Sequence, residues 1–218
     1  RGYYDMKILR GVFIGLMLLF LYAPLLVMTL FSFNSSKSTS VFEGFSLKWY
    51  EQLLYDSESI TALQNTLVLA ILSALIATVL GTVTAVAIYK MKKGAFKSTL
   101  TTVTNIPMMT PEIVTGFSLM LLFVSIASII GRKEALNFGT ILCAHITFNL
   151  PYVILNVLPK LKQTDANLSE AAEDLGCTPL QAFFKSVLPA IYPGIFTGFI
   201  MSFTLSLDDF VISYFTSG

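Results

Sequence analysis

The sequence predicts an all-α integral membrane protein with about five transmembrane helices, and three observations carry that expectation. Only 12% of the 218 residues are charged, where a soluble domain has about 25%. The mean hydropathy is +0.74. The hydrophobic residues, 55% of the chain, fall into long runs broken by short polar stretches, and about 20 apolar residues cross the hydrocarbon core. The net charge of +1 says little, because in a membrane chain the placement of charges matters more than their sum. Cys143, inside an apolar run, and Cys177, in a polar stretch, have no spacing that suggests a disulfide, metal or redox pair.

The first span is expected from Val12 to Phe31, free of charge. Its basic start (Arg1, Lys7, Arg10) looks like the head of a signal peptide. The apolar run is longer than the roughly 7–15 residues of such a segment, and no A-x-A site follows, so it reads as a retained helix. In the stretch Ser32–Thr61, Ser46 to Tyr55 has the apolar spacing of a short interfacial helix. Trp49 there fits either an aromatic belt or a substrate path. A second span, about Leu63 to Tyr89, ends at Lys90, Lys92, Lys93 and Lys97. Residues 98–130 are too many for one ordinary span; they are interrupted at 107–111 and carry Glu112. A fourth span covers about 136–158, a polar segment 160–189 follows, and a fifth span is expected at about 191–215. Residues 1–218 read as a single transmembrane domain, with no internal repeat. The start at Arg1 rather than Met, and the stop just after an apolar run, lead to the expectation that both ends are incomplete.

Orientation follows from the loops, since Lys and Arg accumulate on the cytoplasmic side. With the N-terminus inside, the cytoplasmic segments hold ten Lys and Arg (Arg1, Lys7, Arg10; Lys90, Lys92, Lys93, Lys97; Lys160, Lys162, Lys185). The outer loops then hold four: Lys37, Lys48, Arg132 and Lys133. The excess favours a cytoplasmic N-terminus and a cytoplasmic 160–189 segment.

That segment is expected to fold as two short helices. Asn167 and Glu170 have the spacing of a capping box, and Gly176 suits a left-handed helix end. Thr178 offers a second N-cap, with Pro179 at the first helical position and Gln181 at the third, and Pro189 is expected to stop this helix at the membrane. The first helix is small and acidic (Glu170, Ala171, Ala172, Glu173, Asp174), and its paired alanines suit close approach by a partner, although a solvated loop helix fits as well. Glu170-Ala171-Ala172, Gly176 and Leu188-Pro189 together resemble the EAA loop of binding-protein-dependent ABC permeases. Ser186 departs from that pattern where the family usually has isoleucine. The resemblance implies a coupling helix that docks on a cytoplasmic ATPase subunit. It implies no cofactor on this chain, with ATP and Mg held by the partner ATPase subunits. The sequence agrees in having no G-x-x-x-x-G-K-[ST] phosphate loop.

Acidic residues inside apolar spans are costly and point to function. Asp208 and Asp209 lie in the fifth span, and Glu112 follows the Pro107–Pro111 interruption. If the helices are continuous, Asp208 lies about 21 Å along from Gly194 and Glu112 about 21 Å from Ser98, at similar depths. Neighbouring helical residues point about 100° apart, so one aspartate can face a cavity while the other holds the helix. Asp208 is taken as the cavity-facing one. Capping a helix break, or pairing with another subunit, also accounts for the pair. Carboxylates in a dry path suit a cation, and Tyr192, Phe210 and Tyr214 are candidates for cation–π contact.

Phe33-Asn34-Ser35-Ser36, Met108 to Val114, Ala144 to Phe148 and Ser202 to Asp209 resemble the spermidine/putrescine permease subunits of the PotC type. The likeness covers nearly the whole chain. It implies the type I ABC importer permease fold, with a sixth helix expected beyond Gly218, and a setting in the prokaryotic inner membrane. It also implies a second permease subunit, two copies of an ATP-binding subunit and an external polyamine-binding protein. Trp49, Glu112, Ser206, Asp208 and Asp209 are the pathway positions it implies. His145 stands without a companion; it reads as a packed, hydrogen-bonded residue or one with a pathway or pH role. The residues leave other classes open: a permease for another cation such as ferric iron, or an ion-coupled carrier or channel. A membrane enzyme would need a nucleophile, base or metal set, and none is evident.

Overall fold

Without water in the hydrocarbon core, backbone N–H and C=O groups must pair within their own segment, and long apolar runs become helices. In the computed structural model, which describes residues 2–38, 40–132, 134–165 and 167–217, they do so throughout. Arg1 and Lys133 of the charge count, and Gly218, lie outside the described residues. The helices are α1 (Gly2–Ser32), α2 (Lys48–Tyr55), α3 (Ser57–Lys90), α4 (Ala95–Met109), α5 (Glu112–Ile130), α6 (Phe138–Gln163), α7 (Leu168–Asp174), α8 (Pro179–Ala182), α9 (Leu188–Asp208) and α10 (Val211–Thr216). A π-helical turn, Phe183–Val187, joins α8 to α9. Among the described residues the one β feature is an isolated bridge between Asn34 and Phe45. Five stretches among the described residues are long and apolar enough to span a membrane: Leu9–Ser32, Ser57–Lys90, Glu112–Ile130, Phe138–Gln163 and Pro179–Asp208. The chain is thus an all-α multi-pass membrane protein. It divides into two compact units, Arg1–Leu63 and Gln64–Gly218.

In the first unit, α1 exposes apolar side chains between Met6 and Leu30. The loop after it is organised by Asn34, whose amide donates to Ser38 O (2.9 Å) and Val41 O (2.7 Å) and accepts from Glu43 N–H (2.9 Å). The short helix expected around Ser46–Tyr55 is present as α2. Asp56 separates α2 from α3. The Ser59 hydroxyl above all, helped by the Glu58 and Ser59 amides, holds its carboxyl below the usual carboxylate range against the opposing effect of desolvation.

The second unit is held by small residues that let backbones approach, the usual device where lipid removes a hydrophobic drive between helices. On α9, Gly194, Gly198, Ser202 and Ser206 recur every fourth residue and are buried. A Cβ at Gly194 would stand 2.8 Å from Asn156 O, and one at Gly198 3.2 Å from Val153 Cα, so α9 lies against α6. A Cβ at Gly81 would meet Val153 Cβ at 2.7 Å, which brings α3 to the same face of α6. Ala77, Ala85, Ile88, Val153, Val157 and Ile191 form the centre of this packing. Lys97 closes the end of α3 by donating to Tyr89 O (3.2 Å) and Met91 O (3.0 Å).

Four expectations are corrected. Residues 98–130 are interrupted where expected, but the interruption is a full break between two helices: α4 runs through Pro107, and Thr110 and Pro111 are extended, with ψ of 141° and 137°. The depth of Glu112 therefore cannot be measured along one helix from Ser98. The fifth span is not continuous to 215; α9 ends at Asp208, and Asp209 is extended (φ −71°, ψ 116°). The Asn167–Glu170 capping box does not form, because Asn167 is itself helical (φ −81°, ψ −6°), and its N–H donates to Asp165 Oδ1 instead (2.9 Å). Finally, Pro189 does not stop a helix. It sits in the first turn of α9, where the preceding π turn absorbs the missing donor and the ring. The Thr178 cap does form as a reciprocal box with Gln181 (3.1 and 3.4 Å), and Gly176 is left-handed (φ +92°).

Candidate functional site

The break at the end of α9 builds a cavity of about 1380 Å³. Asp208, Asp209 and Glu134 give it acidic walls; Asn65, Ser206 and Ser213 add polar groups, and Phe138, Phe210 and Tyr214 add rings. A helix that stops inside the membrane leaves unpaired carbonyls, tolerated where they face a polar cavity or protein. Asp208, the last residue of α9, is exposed, whereas the side chain of Asp209 is 2% exposed.

Asp209 turns inward and receives the start of α10. Its carboxylate accepts the N–H of Ile212 (3.2 Å) and of Ser213 (2.9 Å) and the Ser213 hydroxyl (3.1 Å). His145, 1% exposed on α6, stands beside it, with Nε2 3.0 Å from Ser213 Oγ and 3.5 Å from Asp209 Oδ2. Its Nδ1 lies 2.6 Å from Ser206 Oγ, which in turn lies 2.9 Å from Ser73 Oγ on α3. Since the Ser213 hydroxyl donates to the carboxylate, its oxygen is left to accept. That assigns the proton of a neutral imidazole to Nε2 and makes Nδ1 the acceptor from Ser206. One polar chain thus ties α3, α6, α9 and α10 together around the break.

Ser206, His145 and Asp209 form a nucleophile–base–acid grouping that was not evident from the sequence. Ser206 lies buried within α9, just before its end at Asp208. The grouping binds helices together.

Of the other expected pathway residues, Glu112 is not among those lining this cavity. Glu112 opens α5, is exposed, and interacts electrostatically with Tyr152. One turn on, Gly116 lets α10 approach: a Cβ there would meet Ile212 Cα at 3.3 Å. Trp49, half-buried in the first unit, donates from Nε1 to Asn34 O (2.7 Å), and the ammonium groups of Lys48 and Lys37 stand 5.3 and 5.9 Å from its ring centre. Phe210 and Tyr214 stack at 5.9 Å on the cavity wall, while Tyr192 stacks on Phe196 near the start of α9. In the 160–189 segment Glu170, Ala171, Glu173, Asp174 and Gly176 are exposed and Ala172 is buried, so only one of the paired alanines is open to a partner. Glu134 is the cavity carboxylate that sequence reasoning missed. It sits in the short loop between α5 and α6, beyond the apolar runs where acidic residues draw notice.

Five membrane-length helices, an internal helix break lined by carboxylates and an exposed acidic helix after the fourth span define a multi-pass membrane permease component. The chain belongs to the family described as binding-protein-dependent transport system inner membrane component, whose pattern matches residues 77–218. It is 41% identical over 199 residues to the putrescine transport system permease protein PotI of Escherichia coli (strain K12), covering 91% of this chain and 71% of that one. It is 37% identical over 212 residues to the spermidine/putrescine transport system permease protein PotC of the same organism, covering 97% and 78%. The crystal structure of a bacterial ABC transporter involved in the import of alginate matches with a TM-score of 0.73 at 18% identity, covering 95% of this chain and 77% of that one. That match shows the fold, an ABC importer permease fold.

Proposed function

We propose that this chain is the transmembrane subunit of an ATP-driven ABC importer that moves polyamines, spermidine or putrescine, into the cytoplasm. The observation that carries the reading is the acidic cavity at the broken end of α9, where Asp208 is exposed beside Glu134. A polyamine is a flexible chain with a cation at each end. Carboxylates gathered on the wall of one cavity attract such charges. Ring faces at Phe210 and Tyr214 suit the same cations. The names of the PotI and PotC relatives support the substrate class.

In this reading Asp208 contacts the substrate, Ser206 and Asp209 shape the site, and Glu112 and Trp49 act elsewhere on the path. Glu170, Ala171, Glu173 and Asp174 present the coupling surface to the ATPase, with Ala172 and Gly176 fixing the helix behind it. The chain holds no cofactor of its own; ATP and Mg belong to two copies of a partner ATPase. A second permease, an external binding protein and the lipid bilayer complete the assembly, which involves no nucleic acid. The N-terminus is cytoplasmic.

The test is polyamine-stimulated ATP hydrolysis by the complex reconstituted with its binding protein. Asp208→Asn is expected to lower stimulation roughly tenfold or more while the subunits still co-purify. A wild-type complex that ignores both polyamines and answers another solute would remove the substrate assignment and leave the importer.

A further inference from the structure

We propose that His145 is the positioning residue of the cavity: it holds Asp209, and through Asp209 the helix break that turns Asp208 toward the substrate. The proposal rests on the polyamine reading and adds to it a residue that touches no substrate.

The geometry begins with Asp209. Its extended backbone ends α9, and its carboxylate gathers the first N–H groups of α10, so the position of that carboxylate sets where α9 stops. Asp208 is the residue immediately before it, and its direction follows from the break. The carboxylate is buried, and Nε2 of His145 stands 3.5 Å from its Oδ2. Ser213 is shared: it donates to Asp209 and lies 3.0 Å from His145 Nε2. One nitrogen of His145 therefore meets both α10, at Ser213, and the Asp209 carboxylate before it, while its other nitrogen is fixed by Ser206, itself braced by Ser73.

Mere packing does not call for an imidazole here. An apolar side chain of similar size would fill the space without placing polar atoms in the hydrocarbon interior. The two nitrogens also do different work, which makes the role separable. Nε2 reaches the break; Nδ1 reaches only the α9–α3 brace. Moreover, α6 continues from His145 to Gln163, about 27 Å of helix, and leads directly into the exposed acidic segment. A displacement of α6 at its cytoplasmic end is thereby delivered to Asp209.

The experiment uses the full complex with its binding protein and either putrescine or spermidine. It reads the half-saturating concentration and the maximal rate of stimulated ATP hydrolysis for His145→Gln, His145→Asn and His145→Leu. Glutamine places an amide N–H near the position of Nε2 and keeps the grip on Ser213 and Asp209. Asparagine keeps an acceptor for Ser206 but falls short of the break. The expected result is a half-saturating concentration near wild type for Gln and raised roughly tenfold for Asn and Leu, with maximal rates within about twofold. Gln and Asn behaving alike, or Leu matching wild type, overturns the positioning role while the polyamine reading stands. Loss of assembly in both Gln and Asn overturns it too, by showing that His145 serves folding alone. A wild-type complex that neither polyamine stimulates overturns the reading beneath it, and this proposal with it.

Discussion

Gly194 and Gly15 are both helical glycines, yet a side chain at each meets different surroundings. At Gly194 a Cβ would lie 2.8 Å from Asn156 O and 2.7 Å from Lys160 Cγ. The lysine chain can move aside, but the carbonyl belongs to α6 and cannot. At Gly15 no atom lies within 4 Å. Gly194→Val is therefore expected to destabilise the subunit by about 1–3 kcal/mol, the usual cost of overpacking a close contact. Gly15→Val should be near neutral. Thermal unfolding of the detergent-solubilised subunit checks the pair: a drop of several degrees for the first and little change for the second. Equal behaviour would mean that α9 and α6 do not approach closely through Gly194. The same stripe explains Ser202 and Ser206, small enough to continue the contact toward the break, where polar groups take over from glycine.

At the scale of elements, the break between α9 and α10 matters most, and Asp209 makes it. Its carboxylate replaces the helical carbonyl partners that Ile212 and Ser213 would otherwise use. Asp209→Ala removes the cap and is expected to cost about 1–2 kcal/mol, whereas Asp209→Asn keeps an acceptor and most of the stability. Unfolding of the two variants side by side separates capping from charge; an Ala variant as stable as the Asn variant would deny Asp209 the capping role. Much of the helix order was legible in the sequence, because 20-residue apolar runs are forced into helices and Thr178-Pro179 marks a start unambiguously. The break was not: no Pro or Gly occupies 209 or 210, and a side-chain cap competes with helix continuation through contacts that periodicity does not record. The polar chain was equally hidden, because His145 and Ser213 stand 68 residues apart. The stripe of Gly194, Gly198, Ser202 and Ser206 was visible but masked by a span that reads as apolar throughout. At Pro189 the local rule failed, because a π turn offered a route that a simple stop signal does not foresee.

For the molecule as a whole, sidedness joins the cavity to the direction of transport. Asp208 serves import only if the broken end of α9 opens outward and the Thr164–Pro189 segment faces the cytoplasm. The two ends of each span differ in charge: Lys90, Lys92, Lys93 and Lys97 follow α3, and Lys160 and Lys162 lie in the last turn of α6. Positive charge is retained on the cytoplasmic side, so the proposed orientation has α3 and α6 running inward and α9 outward. The packing agrees internally. Ser73 and His145 both meet Ser206, while Gly81 and Gly198 both meet Val153, so α3 and α6 run in one direction and α9 in the other. This arrangement predicts a labelling pattern. In a background with Cys143→Ser and Cys177→Ser, a membrane-impermeant maleimide is expected to label Ser40→Cys in intact cells and Lys162→Cys only after permeabilisation. Both positions are exposed, so access depends on side rather than burial. The reverse pattern would put the acidic cavity on the cytoplasmic face, where it could not receive a cation from an external binding protein. Labelling of both positions in intact cells would break the rule that ties α3 and α6 to one direction.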